Sequence, residues 1–226
     1  MVFPRRVFLP YDELMDHDAS QPLHPTAQKL VDTVIEMLQT TTYKNIKSEN
    51  VLLRSGISRG PLYHHFANFD DLIETAQAQI FRNYSSMLIT ELNHVLDVCT
   101  DPADAQKQFI QYLRSTATTP SIAFLNQRIG IIYNASFVPP LRDKLAGSEE
   151  HLTQEWIRTF ERFEEKGWTE RVVDPRGLGI LMQATFIGRV LDSLSNTHMD
   201  PEVWCQTIFH LVQSFFFRLV PIARTE

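Results

Sequence analysis

The chain has 226 residues, of which 43% are hydrophobic, and its formal net charge is −6 at pH 7. This length holds one large or two modest domains with a real core, and the negative charge argues against a uniformly basic nucleic-acid binder but not against a local basic patch. The two cysteines form no paired motif and no apolar run reaches about 18 residues, so we predict a cytoplasmic protein without a membrane span.

The first 24 residues contain prolines at positions 4, 10 and 22 and no helical period, which predicts an N-terminal arm, residues 1–24. Arg5 and Arg6 interrupt its apolar start, so the arm is not typical of a signal peptide. The two arginines allow contact with a minor groove. The acids that follow favour the alternative, an arm that is disordered or packed through its aromatic residues.

Residues 25–70 show the pattern of three short helices. Apolar residues recur at helical spacing in the first helix, and Ser48 and Ser58 are the expected N-caps of the second and the third. Between these two helices, Ser55 and Gly56 form a tight turn for which glycine supplies a positive φ angle. The spacing predicts a helix-turn-helix motif.

The third of these helices shows a cation, a phenol and an imidazole on faces away from its apolar side. In a helix-turn-helix, the second helix of the motif enters the major groove of DNA. The segment 43–66 also concentrates positive charge, with a net +3 from Lys, Arg and Glu, to which His64 and His65 can add. We therefore predict double-stranded DNA as a partner. The predicted contacts are Lys47, Ser48, Ser58, Arg59, Gly60, Pro61, Tyr63 and His64.

The segment 58–66, Ser-Arg-Gly-Pro-Leu-Tyr-His-His-Phe, is followed by Asn-Phe-Asp-Asp-Leu at 68–72. It resembles the DNA-binding signature of the TetR family of repressors, Ser-x-Gly-Thr-Leu-Tyr-x-His-Phe and then Ser-Lys-Glu-x-Leu. Pro61 stands where Thr is common and Phe69 where Lys is common, which removes a hydroxyl and a phosphate-binding cation. The resemblance in motif covers roughly residues 26–75.

This resemblance implies an all-α fold of about nine helices, with a three-helix DNA-binding domain at 25–70 and a ligand-binding and dimerisation domain at 71–226. It further implies a homodimeric repressor that leaves its operator when a small molecule binds. The alternative that stays open is a protein of this fold that has lost operator binding or ligand response.

Capping signals predict the helix boundaries of the second domain. Asp70 and Asp71 open a long fourth helix with a continuous apolar stripe. The sixth helix is expected at 122–133, and Ser148 is expected to open a seventh that ends at Gly167. Asp-Pro pairs predict the starts of the fifth, eighth and ninth helices at Pro102, Pro175 and Pro201.

Aromatic residues in this domain are numerous, which suggests a cavity lined by rings, with plain core as the alternative for each residue. Asn126, Arg128 and Gln183 are the polar residues suited to reach inside, and an arginine there would select a carboxylate ligand unless it lies on a solvated face. The predicted ligand-binding residues are Phe109, Tyr112, Phe124, Arg128, Tyr133, Trp156, Phe160 and Gln183. An apolar or aromatic effector would displace the fifth or sixth helix and, through the fourth, tilt the DNA-binding motif.

Apolar residues at steps of 4, 3, 4 and 3 on the eighth helix, with two apolar stripes on the ninth, predict a four-helix interface between two subunits. Gly188 would let the helices approach closely, and two-fold symmetry predicts an inverted-repeat operator. The predicted interface residues are Ile180, Ala184, Ile187, Gly188, Leu191, Ile208, Leu211 and Phe215.

The sequence contains no converging catalytic set, no phosphate-binding loop and no metal-binding spacing. His64 and His65 are adjacent, so their side chains point about 100° apart on a helix. We predict that the protein is not an enzyme and needs no cofactor or metal.

Overall fold

The computed structural model describes residues 22–116, 119–169 and 173–216. These residues form nine α-helices and one short 3-10 turn without any strand, which confirms the predicted all-α class. Arg5 and Arg6 of the arm lie outside the described residues. The helices are α1 (Pro25–Leu38), α2 (Ser48–Ser55), α3 (Arg59–His65), α4 (Phe69–Val98), α5 (Pro102–Thr116), α6 (Thr119–Ala135), α7 (Pro139–Glu165), α8 (Pro175–Ser193) and α9 (Pro201–Phe216), with the 3-10 turn at Tyr43–Asn45.

Capping side chains start four of the longer helices. Asn68, Asp101, Asp174 and Asp200 each accept a hydrogen bond from a backbone amide two or three residues ahead, at 2.8–2.9 Å. Proline occupies the first position of α5, α8 and α9, where the amide has no helical partner to lose. The predicted starts of these three helices are therefore confirmed.

The expected start of α7 at Ser148 is wrong, because the helix already begins at Pro139. Pro139 and Pro140 occupy its first turn, where neither amide is needed. Leu141 and Leu145 are then buried on the core side, so one apolar stripe runs through the position of Ser148 without a break. Tertiary burial keeps the helix continuous where the local sequence resembles a cap.

The end of α7 at Gly167 is confirmed. Gly167 has a φ of 68°, and its amide donates to the carbonyl of Glu164 at 2.8 Å. The Trp168 amide donates to the carbonyl of Phe163 at 3.0 Å, which completes a Schellman motif. The rings of Trp168 and Phe163 pack with centroids 5.9 Å apart, so the cap is also held by an apolar contact.

Two large apolar cores, and a small cluster of Cys99, Ala105 and Phe163, hold the described helices together. The first core joins α1, α2 and α3 to the beginning of α4 and extends to the end of α6 and the beginning of α7. The second joins the later part of α4 to α5, α6, α7, α8 and α9 around the fully buried Trp156. Because α4 contributes to both cores, it spans the predicted domain boundary at residue 70 and carries the three-helix unit.

An ion pair holds the start of α4 against α7. Lys144 Nζ lies 2.5 Å from Asp71 Oδ1 and 3.6 Å from Glu74 Oε2, and it donates to Thr75 Oγ1 at 3.1 Å. Asp71 also accepts a hydrogen bond from the Ala67 amide at 2.9 Å, just beyond the end of α3. Burial alone would raise the pKa of Asp71, but the hydrogen bonds from Lys144 and Ala67 and the charge of Lys144 together lower it.

Lys144→Met keeps the apolar stem but removes the cation, and we expect it to lower the free energy of unfolding at pH 7 by about 1 kcal/mol. Because the folded-state pKa of Asp71 is lowered, its contribution is present above the ordinary value of 3.8 and is lost as the pH falls through the folded-state value. The variant and the wild type should therefore converge in that acid range.

Urea denaturation at neutral and acid pH measures this difference. Lys107→Met, on the exposed side of α5, is the matched control and should leave the unfolding energy nearly unchanged. Equal stability of the Lys144→Met protein and the wild type at pH 7 would contradict the role given to this ion pair.

Candidate nucleic-acid interface and ligand pocket

The turn between α2 and α3 has the geometry of a helix-turn-helix corner. Gly56 follows α2 with a φ of 67°, and its amide donates to the carbonyl of Leu52 at 3.0 Å. The hydroxyl of Ser55 accepts a hydrogen bond from the Ile57 amide at 3.3 Å and donates to the carbonyl of Leu52. The positive φ angle predicted for Gly56 is confirmed, and it lets the chain leave α2 within one residue.

Helix α3 separates an apolar side from a polar one. Leu62 is fully buried, and Phe66, immediately after the helix, is 5% exposed. Ser58 stands at the N-cap position, as predicted, without a side-chain capping hydrogen bond, and Pro61 is half-buried in the first turn. The exposed residues of this surface are Ser58, Arg59, Gly60, Tyr63 and His64.

Helix α2 directly precedes α3 in the chain, and its start carries two of the predicted DNA contacts. Lys47 is exposed and occupies the N-cap position, whereas Ser48 is half-buried at the first helical position. The prediction that Ser48 caps α2 is wrong, because the amides of Asn50 and Val51 donate to the carbonyl of Lys47. The exposed ammonium group of Lys47 is therefore presented at the N-terminus of α2.

The cations of this surface are loosely paired. Arg59 Nη2 lies 3.9 Å from Glu49 Oε1, and Arg54 Nε lies 3.9 Å from Glu36 Oε2, with all four side chains exposed. Exposed ion pairs at this distance contribute little to stability. A phosphate group can therefore replace either carboxylate at small cost.

His65 does not add the positive charge that the sequence suggested. Its ring stacks on that of His24 with centroids 4.8 Å apart, and the ring of His64 lies edge-on at 4.9 Å. Desolvation and the two neighbouring imidazoles lower the pKa of His65. A mostly neutral His65 at pH 7 links the start of α1 to the end of α3 and adds little positive charge to this surface.

Four of the predicted ligand-binding residues belong to the second core. Phe109, Tyr112, Trp156 and Phe160 are each at most 9% exposed. Trp156 stacks on Phe160 with centroids 5.6 Å apart and meets Tyr112 edge-on at 6.4 Å. Neither of the two pockets described next is lined by these four residues. These four residues are therefore part of the second core, and their role in ligand binding stays a prediction.

Arg128 is buried rather than solvated, and it already has partners. Its guanidinium lies over the rings of Phe81 and Tyr84 at 4.4 and 5.1 Å. Nη2 donates to Glu149 at 2.7 Å and to Gln183 at 2.9 Å, whereas Nη1 finds no partner among the described residues. The cavity that Arg128 and Gln183 line holds only about 10 Å³. Glu149 already pairs with the guanidinium through Nη2, so a ligand carboxylate at Arg128 stays a prediction that would have to use Nη1.

A larger groove, of about 660 Å³, lies between the three-helix unit and α6. Phe124 and Tyr133 line it, as does Asn126, so these three residues stay candidates for ligand contact. The opposite wall is the connection from α1 to α2, for which no function was predicted; its uncharged run at 38–43 was the available signal. The lining residues are Leu38, Gln39, Thr41, Thr42, Tyr43, Gln77, Ile80, Ala123, Phe124, Asn126, Gln127, Gly130, Ile131 and Tyr133.

Helix α8 exposes the apolar stripe predicted for a subunit interface. Ile180 is 53% exposed and Leu191 is 63% exposed, with Ala184 exposed and Ile187 half-buried between them. Leu194, just beyond the helix, is 78% exposed. The opposite face of α8 packs into the second core. A single chain therefore leaves the predicted stripe uncovered.

Two predicted interface residues serve packing within the chain instead. Ile208 is 5% exposed because it faces the second core, so we remove it from the interface. A Cβ atom placed on Gly188 would lie 2.7 Å from the ring of Trp204, so this glycine admits Trp204 of the same chain rather than a helix of a partner. Leu211 is half-buried, and the side chain of Phe215 lies outside the described part.

The described residues contain neither a metal-ligand cluster nor a membrane-spanning helix. Their His, Cys, Asp and Glu side chains form no group of three that suits a metal ion. None of the described helices has the length and apolar character needed to cross a bilayer.

A helix-turn-helix corner on a three-helix unit, carried by a long helix of a larger helical domain, defines a class of DNA-binding fold. No known family profile matches the chain, and no curated protein sequence matches it. Solved structures do match it in fold.

A putative TetR-family transcriptional regulator from Mesorhizobium loti has a TM-score of 0.65 and 12% identity, covering 84% of this chain and 96% of its own. GusR of Salmonella enterica has a TM-score of 0.64 and 16% identity, covering 88% and 98%. A putative transcriptional regulator from Saccharomonospora viridis, in complex with choline, has a TM-score of 0.62 and 13% identity, covering 84% and 96%. The chain therefore has the fold of TetR-family transcriptional regulators.

Gly56→Ala tests the corner of the motif. An alanine held at a φ of 67° is strained, so we expect the free energy of unfolding to fall by about 1 kcal/mol. Gly60→Ala is the matched control, because Gly60 is helical and a Cβ there meets nothing within 4 Å; it should be neutral or slightly stabilising. Thermal denaturation followed by circular dichroism compares the two, and equal melting temperatures would contradict the strained-corner account.

Proposed function

We propose that this chain is a DNA-binding transcriptional regulator, a repressor that a small apolar or aromatic molecule releases from its operator. The observation that carries the proposal is α3, which buries Leu62 and presents Arg59, Tyr63 and His64 to solvent directly after the helix-turn-helix corner. Its fold neighbours from Mesorhizobium loti and Saccharomonospora viridis, both putative transcriptional regulators, support the same conclusion.

In this proposal, the N-terminal part of α3 enters the major groove. Arg59 reads a guanine edge, because a guanidinium can donate two parallel hydrogen bonds to it. Tyr63 and Lys47 hold phosphates and so fix the register of the protein on the duplex. The hydroxyl of Ser58 is not used for capping, and Gly60 lets the backbone approach the DNA closely.

The exposed stripe on α8 supports a homodimer. Contiguous apolar surface on a helix of a soluble protein marks an interaction site. Pairing two copies of α8 about a two-fold axis would cover Ile180, Ala184, Ile187 and Leu191 against the same residues of a second copy. Two α3 helices related by that axis would read an inverted repeat.

The contacts at the start of α4 support a ligand-controlled switch. Only three residues separate the end of α3 from the start of α4, and α7 holds that start through Lys144. A ligand that displaces α6 or α7 would therefore tilt α3, and a small tilt on each subunit spoils the match to one groove spacing. The choline complex of the Saccharomonospora viridis neighbour supports small-molecule binding within this fold.

The alternative is an interaction protein of the same fold that no longer binds an operator. It is favoured by Phe69, where a lysine would contact phosphate, and by Glu49 beside Arg59. A gel shift with the DNA flanking its own gene separates the two functions. A specific complex supports the repressor, and no complex at any salt concentration supports the interaction protein.

Arg59→Ala should cost about 1–3 kcal/mol of operator binding and relax the preference for the cognate sequence. Tyr63→Phe should weaken cognate and unrelated duplexes about equally, because a phenol on a phosphate carries no sequence information. Fluorescence anisotropy with both duplexes measures the two effects. Arg176→Ala, an exposed cation at the start of α8, is the control and should bind as the wild type does. Wild-type affinity in both α3 variants would remove α3 as the reading helix.

Leu191→Asp tests the dimer. Leu191 is 63% exposed in the single chain, so the substitution should leave the fold intact, but it would bury an unpaired charge in the proposed interface. We expect monomers at micromolar concentration with an unchanged circular dichroism spectrum. Phe137→Asp, at a residue of similar exposure after α6, should remain dimeric. Sedimentation velocity decides this, and a dimeric Leu191→Asp protein would place the interface elsewhere.

A further inference from the structure

The groove of about 660 Å³ touches both parts of the molecule that a repressor must move relative to each other. One wall is the connection between α1 and α2, at residues 38–43, which belongs to the three-helix unit. The other wall is α6, with Phe124, Asn126, Gln127, Gly130 and Tyr133. A molecule in the groove would therefore contact the helix-turn-helix unit directly, without first acting through the second core.

The chemistry of the walls is uniform. Of the fourteen described residues that line the groove, none carries a charge. Four carboxamides, from Gln39, Gln77, Asn126 and Gln127, stand among aliphatic and aromatic side chains. Gln77 is only 3% exposed, and its carbonyl accepts a hydrogen bond from the side-chain amide of Asn134 at 2.9 Å, so this amide group is held in a fixed position.

We infer that this groove is a binding site for an uncharged, largely apolar small molecule that carries hydrogen-bonding groups. The volume falls within the range of about 300–1,000 Å³ that is typical of small-molecule sites. Transfer of a charged ligand into it would be unfavourable, because no opposite charge among the described lining residues would replace its hydration. The carboxamides can both donate to and accept from a neutral ligand and so fix its orientation.

The site has a regulatory consequence, which rests on the proposed DNA-binding function. A ligand wedged between residues 38–43 and α6 would stabilise one spacing of these two walls. If operator binding requires another spacing, ligand and operator weaken each other by the same factor. The effector of the proposed repressor would then bind beside the motif.

Two dyes that differ by one charge test the site. N-phenyl-1-naphthylamine is neutral and fluoresces in apolar surroundings, and 8-anilinonaphthalene-1-sulfonate has the same ring system with a sulfonate. Fluorescence titration of the full chain should show saturable binding of the neutral dye and at least about tenfold weaker binding of the sulfonate, since a charge buried without a partner is costly.

Gly130→Phe assigns the binding to the groove. Gly130 lines the groove and a Cβ there meets nothing within 4 Å, so the new side chain would start in open space and its ring would occupy ligand space. The neutral dye should bind at least about tenfold more weakly to this variant. Gly147→Phe is the matched control, because Gly147 is also an exposed helical glycine in open space but lies outside the groove. It should bind the dye as the wild type does.

Each outcome decides the proposal. Loss of dye affinity in Gly130→Phe, with none in Gly147→Phe, supports it. Equal affinity of the wild type and Gly130→Phe places the dye elsewhere and overturns it. Absence of saturable binding to the full chain also overturns it, as does stronger binding of the sulfonate.

A separate titration tests the regulatory consequence. The neutral dye should bind about 5- to 150-fold more weakly to the operator complex than to the free protein, which is the usual range of allosteric coupling. A protein that binds the dye through the groove but binds no DNA would retain the site and refute the proposed function. A protein whose operator complex binds the dye as the free protein does would refute the regulatory consequence alone.

Discussion

The position of α3 depends on how the start of α4 is held, because only three residues separate the two helices. Asn68 caps α4, Asp71 accepts the amide of Ala67, and Lys144 binds Asp71 from the neighbouring helix α7. The first apolar core covers the same junction and reaches α6 and α7. A shift of either C-terminal helix is therefore a shift of the proposed reading surface, since no flexible linker separates them.

Positive charge is concentrated in one segment, although the chain as a whole is negatively charged. The whole chain carries −6, yet the segment 43–66 carries +3 from Lys, Arg and Glu. Long-range repulsion by the acidic remainder opposes non-specific binding to nucleic acid, and the local cations act only at close range, where salt screens them less. Because its pKa is lowered, His65 adds little positive charge to this segment near neutral pH.

The C-terminal helices pack densely around the second core but leave a groove beside the three-helix unit. Around Trp156, aromatic side chains pack ring to ring and give the larger domain its rigidity. Helix α6 contributes Leu125 to the second core, and it also presents Phe124 and Tyr133 to the groove. The groove is the space between α6 and the three-helix unit. A ligand can alter only a spacing that dense packing does not already fix. The groove beside the three-helix unit meets this condition, whereas the second core does not.

The sequence by itself determined the local features: the helix starts at Asp-Pro pairs, the positive φ angle of Gly56, the end of α7 at Gly167, the polar face of α3 and the apolar stripe of α8. Each depends on backbone stereochemistry or helical period, which act over a few residues. Only the tertiary structure decided that α7 runs through Ser148, that Arg128 is paired with Glu149, that Gly188 admits Trp204, and that Phe109 and Trp156 are core while Phe124 and Tyr133 face a groove. Helical period places a residue on a side of its helix, but what that side meets is set by residues distant in the chain.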